Sequence, residues 1–166
     1  MPGPTLVVEL AEPLSETALR ELEAFVRRHT TRFERPRAWF FDVSISLGHD
    51  EARPFLIHLL RQGDDVFEAE HADEHEVEEV LGFKPVQAVN ISAGCNAHSD
   101  HIAAALLTAA IMDVVGGVAS AELLAGQVVT GLPGVLGVTA GTYPTALGTA
   151  EFLRAWVAQP GFRLLK

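Results

Sequence analysis

Apolar and polar residues alternate most regularly along residues 39–47, where five apolar side chains fall on one face. This period-two pattern predicts a strand whose apolar face is covered and whose other face is mostly polar. Shorter apolar runs at residues 5–10, 55–60 and 86–93 predict three further strands. The run at 55–60 follows a predicted turn at residues 48–50, which makes it the expected hairpin partner of the strand at 39–47.

Apolar residues spaced three and four apart predict four helices, at residues 16–29, 73–81 and 100–115 and in the segment after Thr149. Ser15, Asp73, Ser99 and Thr149 stand where each helix would begin, and side chains of these types cap free backbone amides. The helix at 100–115 lies in a stretch from 85 to 150 that contains no Lys or Arg. So little charge predicts that it is the buried central helix.

Other segments carry weaker patterns. The basic, proline-containing residues 30–37 predict a loop, and the runs at 127–130 and 135–139 predict short strands between glycine turns. Phe162 and Leu164 predict a C-terminal tail that faces inward. Strands and helices are mixed without strict alternation, which favours the α+β class. We therefore expect one α+β domain over residues 1–166, with a mostly antiparallel sheet and helices packed on one face.

The charge balance narrows the classes of partner. The chain has 22 acidic and 12 basic residues and a formal net charge of -10. Nucleic-acid binding needs a basic footprint, so we expect no nucleic-acid partner and favour a basic protein. A single cysteine cannot form an internal disulfide, and the N-terminus lacks the basic region of a signal peptide. The longest apolar run is too short to span a bilayer, so the sequence predicts a cytoplasmic protein without a membrane partner.

Residues 64–79 concentrate this negative charge, with nine carboxylates and no Lys or Arg. One interpretation is a docking surface that attracts a basic partner, and the alternative is a solvated face without a partner. His71 and His75 lie within the segment, where their protonation near pH 6 would soften the charge. The predicted partner-binding residues are Asp64, Asp65, Glu68, Glu70, Asp73, Glu74 and Glu78.

The segment CNAHSDH offers a second candidate site, because Cys95, His98 and His101 have the spacing C-x2-H-x2-H. Three such ligands with an open fourth position would suit a catalytic zinc, which predicts a zinc-dependent hydrolase as one alternative. A reactive Cys95 with His101 as its base is another. The favoured interpretation is structural: a buried cysteine, a capped helix and a hydrogen-bonded histidine. It assigns no catalytic residue and no cofactor, and it makes an enzyme the less favoured class.

No phosphate-binding or nucleophile-elbow motif occurs in the chain. A sparse pattern does occur: Cys95-Asn96 with Asp100-His101, an apolar helix closed by Gly116-Gly117, and Phe152-Leu153, Trp156, Pro160, Phe162 and Lys166 near the end. Over residues 75–166 this pattern resembles small bacterial proteins similar to immunity proteins, which bind and neutralise a toxin. The resemblance implies a binding protein and supplies no catalytic residues. A small-molecule pocket under the glycine-rich region is a further alternative.

Overall fold

One eight-stranded antiparallel sheet organises the chain in the computed structural model, which describes residues 3–47 and 51–165. The strand order is β2-β3-β4-β5-β1-β6-β8-β7. The strands are β1 (Thr5–Leu10), β2 (Thr30–Arg37), β3 (Phe40–Ile45), β4 (Arg53–Arg61), β5 (Gln87–Ala93), β6 (Val118–Glu122), β7 (Val135–Val138) and β8 (Thr145–Gly148). The helices are α1 (Glu16–His29), α2 (Asp65–Glu70), α3 (His75–Leu81), α4 (His98–Val115) and α5 (Ala150–Val157).

The three longer helices cover one face of the sheet, and the two short helices cover part of the other. Residues of α1, α4 and α5 share the main core with the inward side chains of β1, β3, β4 and β5. On the opposite face, Phe67 of α2 packs against Leu60 and Ala88, while Val77 of α3 packs against Leu147. The α+β class and the antiparallel sheet are therefore confirmed. None of the helices in the described ranges is long and apolar enough to cross a membrane.

The strongest patterns gave correct elements. In β3 the side chains of Phe41, Val43 and Ile45 are buried, as the alternation predicts, and β3 pairs with β4 in a hairpin. The turn predicted at residues 48–50 lies outside the described residues. The helix α4 is nearly buried all round, which confirms its central position. Phe162 and Leu164 are buried as expected.

The loop predicted at residues 30–37 is wrong, because this segment forms β2. It pairs with β3 alone, so it is an edge strand, and most of its side chains are exposed. An edge strand with two solvated faces needs no apolar alternation, and it tolerates Pro36 because one side of its backbone has no partner strand. Its basic and polar composition therefore resembled that of a loop.

Two strands after α4 escaped prediction because small residues build them. Both β6, with the sequence VASAE, and β8, with TALG, lack the β-branched runs that indicate strands. A Cβ on Gly148 would lie 2.4 Å from Cδ1 of Phe152, so a small residue in β8 lets α5 approach the sheet closely. The strand predicted at 127–130 is absent from the described structure, whereas β7 confirms most of the run at 135–139.

The helix boundaries were predicted with mixed success. Ser15 caps α1 as expected, since its Oγ accepts the N–H of Ala18 at 3.1 Å. The cap predicted at Ser99 is wrong: α4 begins at His98, and the carboxylate of Asp100 accepts the N–H of Ala97 at 2.6 Å. The cap predicted at Asp73 is also wrong, because that residue has a left-handed φ of 59° and α3 begins at His75. The short helix α2 was not predicted.

Gly117 fixes the start of β6 against β1, and its replacement by alanine should be costly. Its φ is 87°, and an added Cβ would lie 2.7 Å from the carbonyl oxygen of Glu9 and from Cγ1 of Val8. Gly82, the C-cap of α3, has a similar φ of 76° but open space around its Cβ position. We expect Gly117→Ala to lower the free energy of unfolding by about 3 kcal/mol, from backbone strain and overpacking together. Gly82→Ala should cost about 1 kcal/mol. Equal losses of stability for the two variants in urea denaturation would contradict the close approach of Gly117 to β1.

Candidate functional site

The candidate site is a cavity of about 300 Å³ on the face of the sheet that carries α2 and α3. Its floor is the outward side of β1, and its walls come from the α2–α3 connection, β6 and the C-terminal tail. Four carboxylates and one imidazole line it, and Lys and Arg are missing from the lining formed by the described residues. The polar lining residues include Thr5, Glu9, Glu70, His71, Glu74 and Glu122.

Strand alternation places Glu9 in this cavity. Leu6, Val8 and Leu10 of β1 face the main core, so Val7 and Glu9 point to the opposite face. Because β1 is a central strand between β5 and β6, Glu9 is only 3% exposed. A carboxylate buried on a central strand needs a cationic or hydrogen-bonding partner.

His71, the residue directly after α2, is that partner. Phe67 is anchored in the apolar cluster on this face of the sheet, and its ring stacks on the imidazole of His71 with centroids 4.0 Å apart. The ring Nδ1 of His71 donates to the carbonyl oxygen of Phe67 at 2.8 Å. This hydrogen bond leaves Nε2 directed at Glu9, whose Oε2 lies 2.8 Å away.

The electrostatics of the cavity stabilise a positive charge. Burial opposes protonation of His71, but the hydrogen bond and the negative charge of Glu9 outweigh it and raise the pKa of His71 to about 9. Glu74 follows His71 by three residues and is half-buried. Burial, together with the nearby charge of Glu9, raises the pKa of the Glu74 carboxyl. The site therefore holds more negative charge than His71 alone balances.

Glu9, His71 and Glu74 form one group of potential metal ligands, since one ligand atom of each lies within 4.8 Å of the others. Across residues 3–47 and 51–165, no other three His, Cys, Asp or Glu side chains converge this closely. Sequence reasoning missed Glu9 and gave His71 no partner. The one available signal was a lone carboxylate within the apolar run TLVVEL.

The residues predicted for zinc do not converge. Cys95 and His98 are exposed, and His101 is fully buried. The N–H of Leu164 donates to Nδ1 of His101 at 3.1 Å, so Nε2 carries the hydrogen and donates to Oδ1 of Asn96 at 3.0 Å. These bonds agree with the structural interpretation of His101, whereas the burial expected for Cys95 is wrong.

Asp100 has a structural partner that the sequence did not reveal. Its side chain is fully buried, and Nε of Arg53, from β4, lies 2.7 Å from its Oδ1. Burial opposes ionisation of Asp100, but the hydrogen bonds from Arg53 and from the N–H of Ala97 outweigh it and hold its pKa below the usual value. The CNAHSDH turn is thereby attached to the sheet.

Several predicted partner-binding residues also form contacts within the chain. Asp64 accepts the N–H of Arg61 at 2.9 Å, and Glu68 accepts that of Gly63 at 2.7 Å. Both carboxylate oxygens of Glu70 accept from Nδ2 of Asn90 at 3.1 Å. Glu74 lines the cavity and Glu78 is half-buried, whereas Asp65 and Asp73 are exposed. Their role in binding a partner stays a prediction.

Comparison with known proteins identifies a family without assigning an activity. No curated protein and no solved structure matches the chain. One family model matches residues 2–166. Because this match covers almost the whole chain, the protein belongs to the family of unknown function DUF6368.

Proposed function

We propose that the protein is a non-enzymatic binding domain whose acidic surface meets a basic protein, a bacterial toxin that it neutralises as immunity proteins do. The acidic surface is defined here as the carboxylates of residues 64–79. The observation that carries the proposal is their lack of ion pairs with Lys or Arg within the described residues. Carboxylates elsewhere do form such pairs, namely Glu23, Glu34, Glu51, Asp42, Asp100 and Asp113.

Unpaired carboxylates support binding for an electrostatic reason. A charge that is not neutralised within the chain contributes to the external potential, and a concentrated negative potential accelerates encounter with a basic surface. Val66 of α2 is 49% exposed in the midst of this charge. An apolar side chain surrounded by polar ones matches the usual anatomy of a protein interface.

Capture at low salt tests the proposal. The full chain should retain a basic protein in a one-to-one ratio from its native host, and the affinity should fall at least about tenfold between 0.05 and 0.3 M salt, because exposed charges are screened. The variant Asp65→Asn/Glu76→Gln/Glu79→Gln should lose a similar factor. The control variant Glu12→Gln/Glu21→Gln/Glu151→Gln also removes three negative charges, but from exposed positions outside residues 64–79.

Three outcomes decide the proposal. Cells whose growth is stopped by the captured protein should grow again when the full chain is expressed with it. If the two triple variants bind equally, the acidic surface is not the interface. If nothing is captured at low salt, the binding proposal itself fails.

A further inference from the structure

The charge of the cavity is unusual for a structural cluster. Glu9, Glu70, Glu74 and Glu122 all line it, and the one cationic group among its described lining residues is the imidazole of His71. The other fully buried carboxylate of the described chain, Asp100, is instead paired with a guanidinium, that of Arg53. An excess of carboxylates around a buried one favours a cation in the cavity.

We infer that Glu9, His71 and Glu74 bind one divalent first-row transition-metal ion, of the zinc or manganese type, in this cavity. The inference does not rest on the proposed partner. It rests on the type of ligand atoms, on their convergence within 4.8 Å and on the way the fold holds the imidazole.

The imidazole is held as metal-binding histidines usually are. Its Nδ1–H donates to the carbonyl oxygen of Phe67, and its ring is stacked against the phenyl group of the same residue. Such a bond fixes the ring orientation and directs Nε2 at the ion, which is the usual outer contact of a ligating histidine. Phe67 is itself buried, so the orientation of the ring is imposed by the apolar packing of α2 on the sheet.

The distances suit an ion with short bonds. Metal–ligand bonds of about 2.0–2.2 Å place adjacent ligand atoms about 3.0–3.5 Å apart, so Nε2 of His71 and Oε2 of Glu9, hydrogen-bonded at 2.8 Å, would separate only slightly around an ion. Glu74 precedes the first residue of α3, and one of its carboxylate oxygens lies within 4.8 Å of the ligand atoms of His71 and Glu9. The ion would occupy the position of the proton that joins His71 to Glu9.

The mixed ligand set indicates the class of ion. Magnesium and calcium prefer oxygen ligands alone, whereas one imidazole with two carboxylates suits zinc, manganese or iron. Three protein ligands leave coordination positions that face the rest of the cavity, where Thr5 and Glu122 lie. The site is therefore open to water or to one further ligand.

Equilibrium dialysis of the full chain against each ion, followed by metal analysis, tests the inference. We expect about one Zn²⁺ or Mn²⁺ per chain, with Mg²⁺ and Ca²⁺ retained at least tenfold more weakly. His71→Asn and Glu74→Gln should each weaken Zn²⁺ binding by about 10- to 100-fold or more. Glu74→Gln removes a half-buried charge and keeps the residue's size, so it serves if His71→Asn fails to fold.

The matched control is Cys95→Ser/His98→Asn, which removes the two exposed residues of the other candidate metal site. This variant should bind Zn²⁺ as the wild type does. Loss of Zn²⁺ in the control, with retention in His71→Asn and Glu74→Gln, would overturn the assignment in favour of the CNAHSDH turn. Failure of the wild type to retain any of the ions at micromolar concentration would also overturn it.

Discussion

Replacing Arg53 by methionine is expected to lower the free energy of unfolding by about 3 kcal/mol or more at pH 7. Methionine keeps much of the apolar stem but removes the guanidinium whose Nε lies 2.7 Å from Oδ1 of Asp100. The Asp100 side chain has no solvent exposure, so the substitution leaves a buried carboxylate that must lose its charge or unfold the start of α4. Urea denaturation at constant temperature measures the loss.

The pH dependence identifies the charge as the cause. The pKa of Asp100 is lower in the folded chain than in the unfolded one, so its stabilising contribution is present above the unfolded value and is lost as pH falls through the folded value. Wild type should therefore lose its advantage over Arg53→Met in acid, below about pH 4.

An exposed ion pair provides the control for this prediction. Arg32 and Asp42 are 2.6 Å apart, but both side chains are more than a third exposed. Arg32→Met should therefore cost much less stability than Arg53→Met, because solvent screens an exposed pair. A similar loss for Arg32→Met and Arg53→Met would show that burial of Asp100 does not set the effect.

The Arg53–Asp100 ion pair also explains why the CNAHSDH segment resembled a chemical site. Asp100 holds the first turn of α4 to β4, and His101 holds the backbone of Leu164. Polar residues clustered at a turn are typical of a metal or catalytic site, but here two of them connect segments distant along the chain. Spacing alone does not distinguish these roles, because the partners Arg53 and Leu164 lie 47 and 63 residues away.

The sequence predicted most clearly the elements in which one face is buried and the other is solvated, and it predicted α4 from its lack of charge. In β3 and α1 the apolar period directly reports the contact with the core. The period is lost in β2, which is exposed on both faces, and in β6 and β8, where small residues admit α5. Local pattern therefore predicted β1, β3, β4, β5 and β7, and it missed the edge strand β2 and the interior strands β6 and β8.

The candidate cavity could be predicted only in part. Alternation in β1 places Glu9 on the face opposite the main core, which a single strand suffices to show. Its contact with His71 depends on a six-residue helix, too short for a clear helical period, that is held to the sheet by Phe67. The acidic composition of residues 64–79 drew attention to exposed charge and concealed the one histidine that faces inward.

Replacing His71 by leucine is expected to destabilise the metal-free protein by about 2–4 kcal/mol at pH 7, because it leaves the carboxylate of Glu9 buried without its cation. The folded pKa of His71, about 9, exceeds the unfolded value of 6.5. Its contribution is therefore fully present below pH 6.5 and is lost as pH rises through 9. In EDTA, wild type should lose about 2 kcal/mol over this interval, after allowance for solvent screening.

The charged groups facing His71 decide how this prediction is tested. Glu9 faces it from β1, Glu74 from the α2–α3 connection, and Glu70 and Glu122 line the same cavity. His98→Gln, at an exposed position, should change neither the stability nor its pH dependence. If His71→Leu also loses stability between pH 6.5 and 9, another group causes the dependence.

A double variant separates the cost of an unpaired charge from the value of the pair. Glu9→Leu/His71→Leu replaces the two partners by apolar side chains. Proteins in which both members of a buried ion pair are replaced in this way are often as stable as the original. We expect the double variant to be more stable than His71→Leu by about 2 kcal/mol at pH 7. It should also show no decline between pH 6.5 and 9. A double variant less stable than His71→Leu would mean that Glu9 stabilises the fold even without its histidine. The burial of Glu9 would then not depend on its ion pair with His71.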